Sequence, residues 1–212
     1  MKVGGTLSKI IGLALLNTLL LMASASATLI HSLPGGSVYA MPNINYTGTG
    51  PQIFGDNIKW FCITGGSNSG TPVFGYNNGY GFGSNGSWDS ALIMAGSNDP
   101  TNAMMFAFEA PVMAVGGFLN YAPGSGTPVI SVYDANHQLI ESYTLNFDTG
   151  GVTDSGFFFG FQESTPISYF SLSGAYIGIA TLTTTATPEP SSLLLLGSGL
   201  TALVGLIRRR MA

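Results

Sequence analysis

The sequence predicts an all-β fold, an antiparallel β-sandwich of the jelly-roll type. Between Leu29 and Leu182, no segment keeps the 3.6-residue apolar period of a helix. Short runs of β-branched and aromatic residues alternate there with clusters of Gly, Pro, Asn and Asp. Charged residues make up only 8% of the chain, whereas 13 Phe and 9 Tyr are available to build a core. Strands and turns at this spacing favour two packed sheets.

Seven runs in the second half of the sequence are the clearest strand candidates. Turn-forming residues separate them, as in Asp134-Ala135-Asn136-His137 and Asp148-Thr149-Gly150-Gly151. Apolar and polar residues alternate in Glu141 to Phe147, as expected for a strand with one buried and one wet face. The predicted strands are Ala103 to Glu109, Met113 to Tyr121, Val129 to Asp134, Leu139 to Phe147, Gly156 to Gln162, Ile167 to Leu172 and Tyr176 to Leu182.

The N-terminus has the three parts of a secretory signal peptide. Two lysines precede the apolar stretch Ile10 to Met22, and small residues follow it. Ala25 and Ala27 occupy the −3 and −1 positions of an A-x-A cleavage site, so we expect cleavage before Thr28. An uncleaved anchor is the alternative, but the apolar stretch is shorter than the roughly 20 residues that span a bilayer.

The C-terminus combines three features in order. Pro188-Glu189-Pro190 comes first, an uncharged apolar stretch from Leu193 to Ile207 follows, and Arg208-Arg209-Arg210 ends the series. The apolar stretch predicts a transmembrane helix, and the arginines predict that the C-terminus stays in the cytoplasm. The prolines keep the preceding motif extended.

This tail resembles the PEP-CTERM sorting domain from Thr187 to about Arg210. The resemblance implies processing near Pro188-Glu189-Pro190 by an exosortase of a Gram-negative bacterium. It also implies a stage in the inner membrane before processing, then the cell surface or the extracellular matrix, in a species that makes exopolysaccharide. A plain membrane anchor is the alternative, although it has no need of the Pro-Glu-Pro motif.

These features predict four segments. They are a signal peptide at 1–27, a β-sandwich ectodomain at 28–182, a Thr-rich stalk at 183–187, and the sorting tail at 188–212.

The segment from Phe106 to Leu182 also resembles a module common in PEP-CTERM proteins, itself similar to carbohydrate-binding jelly rolls. The resemblance rests on Val115-Gly116-Gly117-Phe118, Val132-Tyr133-Asp134-Ala135-Asn136 and Gly156-Phe157-Phe158-Phe159-Gly160-Phe161. Such modules often carry an Asp-Asp pair that can bind calcium, where this chain has Ala180-Thr181. The resemblance therefore implies no metal site here, and we expect no cofactor.

The segment from Gly65 to Ser90 is rich in glycine and contains several aromatic residues. Tyr76, Tyr80 and Trp88 are candidates for stacking against sugars, with neighbouring Asn and Ser side chains as hydrogen-bond partners. The alternative is an ordered insertion whose aromatic side chains cover the core.

Charge and motifs exclude several function classes. Residues 28–187 hold nine acidic side chains and one basic side chain, Lys59, so nucleic-acid binding is not expected. Cys62 is the only cysteine, and its apolar neighbours predict a buried thiol. No catalytic motif is present, and we expect a protein that is not an enzyme. A glycoside hydrolase would require two of Glu109, Glu141 and Glu163 to converge in space.

Three functions follow, in order of preference. The first is a non-catalytic envelope or matrix protein associated with exopolysaccharide. The second is a carbohydrate-binding module at the cell surface, which is compatible with the first. The third is a glycoside hydrolase.

Overall fold

A computed structural model describes residues 28–65 and 70–187, and their fold is all-β, as predicted. The predicted signal peptide and the tail from Pro188 onward lie outside the described residues. No helix in the described ranges is long and apolar enough to cross a membrane. One short 3-10 turn, Gly83–Asn85, accompanies the strands. The strands are β1 Thr28–Ile30, β2 Ser37–Ala40, β3 Tyr46–Thr47, β4 Gln52–Phe54, β5 Ile58–Ile63, β6 Val73–Tyr76, β7 Tyr80–Gly81, β8 Ser87–Trp88, β9 Met94–Gly96, β10 Ala103–Asn120, β11 Val129–Tyr133, β12 Leu139–Thr144, β13 Phe157–Ser173 and β14 Gly178–Ala186.

Two long strands, β10 and β13, each replace a pair of shorter predicted strands. The sequence predicts a break near Pro111 in the first and near Pro166 in the second. The chain instead stays extended through both prolines, and the ladder between the two strands shifts register between Ala107 and Val112. A second shift follows between Val112 and Ala114, so each strand has an irregularity beside its own proline that absorbs the missing N–H group without ending the strand.

All strand pairs are antiparallel, and β10 and β13 connect two sets of strands. The start of β10 pairs with β5, whereas its second half pairs with β14 on the same edge. The first set runs β4-β5-β10-β13-β11-β12, and the second runs β1-β13-β10-β14-β9-β6-β3, with β2 also on β14. Residues of both sets, such as Phe106 and Phe161, belong to one buried apolar cluster. The antiparallel all-β prediction is confirmed, and the jelly-roll strand order stays a prediction.

The last strand corrects the predicted boundary of the ectodomain. β14 continues to Ala186, and its Thr183 and Thr184 pair with Val38 and Ser37 of β2. Both threonines are buried, with 5% and 4% of their surface exposed. Four of the five residues assigned to a stalk at 183–187 are therefore part of the sheet. Threonine is β-branched and suits a strand as well as a linker, so composition alone could not separate the two.

Cys62 lies in the main apolar cluster, as its neighbours predict. It is 5% exposed on β5. Burial raises the pKa of its thiol to about 12, so the side chain is a neutral, small apolar group at physiological pH.

Candidate functional site

The three residues predicted to stack on sugars lie in the Gly-rich segment but in different environments. Tyr76 ends β6, whereas Tyr80 and Trp88 face each other across the small β7–β8 pair. Tyr76 is half-buried, Tyr80 is buried, and Trp88 is fully buried.

Trp88 cannot stack on a ligand in this structure, so its assignment as a sugar-stacking residue is wrong. Its ring meets Phe82 edge-on at 4.9 Å and stacks on Phe118 at 5.7 Å. The indole N–H donates a hydrogen bond to the carbonyl oxygen of Ser155 at 2.6 Å. Both ring faces and the polar atom are thus occupied within the protein.

Trp88 anchors a second apolar cluster, and most aromatic residues of the Gly-rich segment serve the core. This cluster also contains Tyr80, Phe82 and Met94. Phe74, from the same segment, belongs to the main cluster instead. These side chains therefore fit the alternative interpretation, in which the segment is an ordered insertion whose aromatic residues cover the core.

Glycine is required where these aromatic rings meet the sheet. A Cβ at Gly96 would lie 3.0 Å from the ring of Tyr80, closer than carbon atoms pack. Gly75 has φ 62°, and a Cβ there would collide with the carbonyl oxygen of Pro42. At Gly75 in this segment and at Gly96 just beyond it, the absence of a side chain therefore allows backbone and ring to approach closely.

Tyr76 and Tyr80 share a cavity of about 250 Å³ at the edge of this second cluster. Tyr176 and Asn98 form its other walls, together with Val73, Gly79 and Gly81. The backbone N–H of Asn98 donates to the Tyr80 hydroxyl at 2.9 Å, and the Asn98 side chain donates to the Thr71 carbonyl oxygen at 2.9 Å. The cavity is hereafter called the tyrosine cavity.

Two walls of the tyrosine cavity have a left-handed backbone, which asparagine tolerates but a bulky residue such as tyrosine does not. Asn98 has φ 52° and Tyr176 has φ 52°. For a bulky residue such as tyrosine this left-handed conformation costs free energy, about 1–3 kcal/mol. Ala175 and Gly174 are also left-handed, with φ 50° and 77°, so a three-residue turn places Tyr176 in the wall.

The tyrosine cavity suits an uncharged polar ligand. Among the described residues, its walls contain no Asp, Glu, Lys, Arg or His. Burial raises the pKa of Tyr80, so that side chain stays a neutral phenol. Half-buried tyrosine rings with nearby amide and hydroxyl groups provide apolar faces and hydrogen-bond partners together.

The residues missed by sequence reasoning are Tyr176 and Asn98. Asn98 follows the Gly-rich segment closely and Tyr176 is distant from it along the chain, and both enter the tyrosine cavity only because β9 pairs with β6 and β14. Gly174 before Tyr176 was the one local signal of an unusual turn.

Two of the three glutamates considered for hydrolysis lie together, but closer than the separation of about 5 Å between the carboxyl groups of a retaining glycosidase. Glu109 lies apart and accepts a hydrogen bond from the Asn57 side chain at 2.6 Å. Glu141 of β12 and Glu163 of β13 lie within hydrogen-bonding reach of each other. Burial, and then the neighbouring Glu141 carboxyl, raise the pKa of Glu163 to about 7.

A second cleft, of about 280 Å³, lies where the described chain ends. Tyr39, Asp56, Glu109 and Thr187 are among its walls. The Tyr39 hydroxyl donates to Asp56 Oδ2 at 2.6 Å, and this bond to an acid raises the pKa of Tyr39. Within the described ranges, no three His, Cys, Asp or Glu side chains are arranged to hold a metal ion.

The family comparison concerns the segment that follows this cleft. Residues 186–210 match the model of the PEP-CTERM protein-sorting motif. The chain carries a PEP-CTERM sorting motif. The match begins at Ala186, the last residue of β14, so the motif follows the folded domain without an intervening linker. A PEP-CTERM motif implies export, processing by an exosortase and a surface or extracellular location.

Comparison of this PEP-CTERM chain with curated proteins gave no match. Among solved structures, it is similar to a Streptococcus pneumoniae fucose binding module, with 12% identity over 68% of this chain and 96% of that one, and a TM-score of 0.35. It is also similar to a mutant of CBM29-2, a family 29 carbohydrate binding module, with 10% identity over 78% and 98% of the two chains and a TM-score of 0.30.

The roles that the sequence assigns to residues in export and sorting stay predictions, because most of these residues lie outside the described ranges. Ala25 and Ala27 of the cleavage site lie outside the described residues, as do Pro188-Glu189-Pro190 and Arg208-Arg209-Arg210. Within the PEP-CTERM match, only Ala186 and Thr187 are described.

Proposed function

We propose that this protein is a non-catalytic component of the cell envelope or extracellular matrix, associated with exopolysaccharide. The match of residues 186–210 to the sorting motif carries the proposal. The signal peptide would be cut between Ala27 and Thr28, and the apolar helix from Leu193 would hold the chain in the inner membrane of a Gram-negative bacterium. Exosortase would then process the chain near Pro188-Glu189-Pro190.

Replacing Pro188, Glu189 and Pro190 together by alanine tests the sorting step. Insertion of the helix depends on apolar length and flanking charge, which this variant keeps. We expect the variant to accumulate unprocessed in the inner membrane, heavier than the wild type by the mass of the tail. Intact mass spectrometry of membrane and released fractions, in a host with the exosortase, measures this.

Deleting Arg208, Arg209 and Arg210 is the control for that experiment, because it impairs retention of the helix whether or not the motif is read. An alanine variant that is processed and released like the wild type would reduce the tail to an ordinary anchor.

A second candidate function, carbohydrate binding, is favoured by the tyrosine cavity. Tyr76 and Tyr176 are half-buried, their neighbours are uncharged and hydrogen-bonding, and Tyr176 has a strained backbone. Backbone strain of this kind is concentrated at functional sites. We propose a neutral saccharide unit of the exopolysaccharide as the ligand.

Two tyrosine variants test carbohydrate binding. We expect Tyr76→Ala and Tyr176→Ala each to weaken binding to the host exopolysaccharide by about tenfold or more, since stacking on an aromatic face contributes roughly 1–2 kcal/mol. Affinity electrophoresis in gels that contain the polysaccharide measures the change. Tyr39→Ala, at the other cleft, is the matched control and should bind as the wild type does. Equal retardation of all four proteins would exclude the tyrosine cavity as the site.

A further inference from the structure

Glu163, which is buried, and Glu141, which is half-buried, form a carboxyl pair with no Lys or Arg beside it in the described ranges. Glu163 is 6% exposed, and two buried oxygens, Glu163 Oε1 and Glu141 Oε2, accept no hydrogen bond from the described chain. Lys59 is the one Lys or Arg in the described ranges. It lies on β5, which pairs with β4 and β10 and borders neither β12 nor the first half of β13. Two carboxyl groups buried together without a cation are unfavourable, so a partner is expected.

Strand β1 begins at the predicted mature N-terminus, Thr28, and pairs with β13 next to Glu163. Its register on β13 is Thr28 opposite Gln162, Leu29 opposite Phe161 and Ile30 opposite Gly160. Because the strands are antiparallel, the backbone nitrogen of Thr28 lies on the side of Gln162 that leads to Glu163. Phe161 and Glu163 are both buried and Gln162 is exposed, so alternation along the strand places Glu163 on the core face.

We propose that Glu141 and Glu163 bind the α-ammonium group that signal-peptide cleavage creates on Thr28. Hydrolysis of the Ala27–Thr28 peptide bond by a signal peptidase adds one water, leaving a carboxylate on the released peptide and an ammonium on Thr28. In the precursor this nitrogen is an uncharged amide. The mature domain thus gains a charge pairing that its precursor lacks. The inference rests on the cleavage site proposed above.

The proposed pairing would make the free energy of unfolding depend on pH. Besides Glu141 and Glu163, the titratable groups on the adjoining chain are Tyr143 from β12 and His31 after β1, both in contact with the Phe159 ring. A carboxylate partner raises the pKa of an amine above its ordinary value of about 7.7–8. The folded state then binds more protons than the unfolded state above that pH, so the pairing stabilises below the raised pKa while the carboxyl pair is ionised, and is lost as pH rises through the raised pKa.

The decisive experiment measures the reactivity of the α-amine in the exported, processed protein. N-terminal sequencing first establishes that the chain begins at Thr28. The wild type and Glu163→Gln are then labelled at pH 7.5 with an amine-directed acylating reagent, and the N-terminal peptide is quantified by mass spectrometry. We expect labelling to be about tenfold slower in the wild type, because a shift of one pKa unit lowers the free-amine fraction by up to that factor.

Two further variants separate the pairing from a merely structural role of Glu163. A Gly-Ser insertion between Ala27 and Thr28 keeps the charge but moves it about 7 Å along the chain, at about 3.3 Å per residue. We expect fast labelling of this variant with or without Glu163→Gln. Glu109→Gln removes a carboxylate that is already bonded to Asn57, and should label as slowly as the wild type.

Each alternative has its own outcome. A mature N-terminus other than Thr28 would refute the processing step on which the inference rests. A Thr28 N-terminus with equal labelling of wild type and Glu163→Gln would overturn the pairing and leave export standing. A rise in melting temperature with calcium chloride that Glu163→Gln abolishes, with labelling unaffected by that substitution, would make the pair a divalent-cation site instead and would also overturn the proposal.

Discussion

At the scale of single residues, left-handed backbone conformations mark where this chain departs from regular strands. Within the described ranges, seven residues other than glycine have positive φ. Asn45, Asn57, Asn98 and Asp154 have short polar side chains that tolerate this conformation. His137, Ala175 and Tyr176 do not, and the last of these lines the tyrosine cavity. The chain thus accepts backbone strain at the site where we place ligand binding.

His137 allows the cost of that strain to be measured outside the tyrosine cavity. It lies in the turn between β11 and β12 with φ 59°, and its ring stacks on Tyr169 at 4.2 Å. His137→Gly and His137→Ala both remove the ring, but only glycine relaxes the backbone. We expect the glycine variant to be more stable than the alanine variant by about 1 kcal/mol in urea unfolding.

The wild-type protein is not the reference for this comparison, because loss of the stacked ring affects both variants alike. Equal unfolding midpoints for the two variants would mean that the turn relaxes around alanine and that the left-handed conformation imposes no cost there.

At the scale of strands, the sequence identified where β-structure occurs but not where strands end. The runs around Val129 and Leu139 became separate strands close to the predicted bounds, since a tight turn with Asp134 lies between them. The breaks at Pro111 and Pro166 were wrong, because bulges accommodate proline inside a long strand. Tyr76 and Tyr80 were identified from composition, whereas Tyr176 and Asn98 could not be, since pairing between distant strands brings them there.

The end of β14 gives a prediction at this scale. Thr183 is buried and Ala186 is exposed, although they lie on the same strand. Thr183→Asp places an unpaired carboxylate in the interior, so we expect a loss of about 3 kcal/mol or more in unfolding free energy. Ala186→Asp adds the same charge at the surface and should change stability by less than about 0.5 kcal/mol. Two variants as stable as the wild type would restore the interpretation of this segment as a stalk.

At the scale of the whole domain, strands β10 and β14 connect two apolar clusters. The main cluster includes Trp60 of β5 and residues of β10 and β14, among them Val115 and Leu182. The second cluster includes Trp88 and Ala180 of β14, with Phe118 of β10 packed against it. β10 and β14 therefore each contribute side chains to both clusters.

This arrangement predicts that the Gly-rich segment and the main core unfold together. The chain has two tryptophans, Trp60 in the main cluster and Trp88 in the second, and both are fully buried. Trp60→Phe leaves Trp88 as the fluorescent reporter, and Trp88→Phe leaves Trp60. Within each variant, we expect the fluorescence transition in urea to coincide with the far-UV circular dichroism transition, because melting the second cluster would uncover one side of β10 and β14. Comparing the two signals within one variant cancels the change in stability that each substitution causes.

A Trp88 signal that changes at lower urea than the circular dichroism of the same variant would instead show a separate, weaker unit. The tyrosine cavity would then open before the sandwich unfolds, and its ligand would stabilise the Gly-rich segment alone.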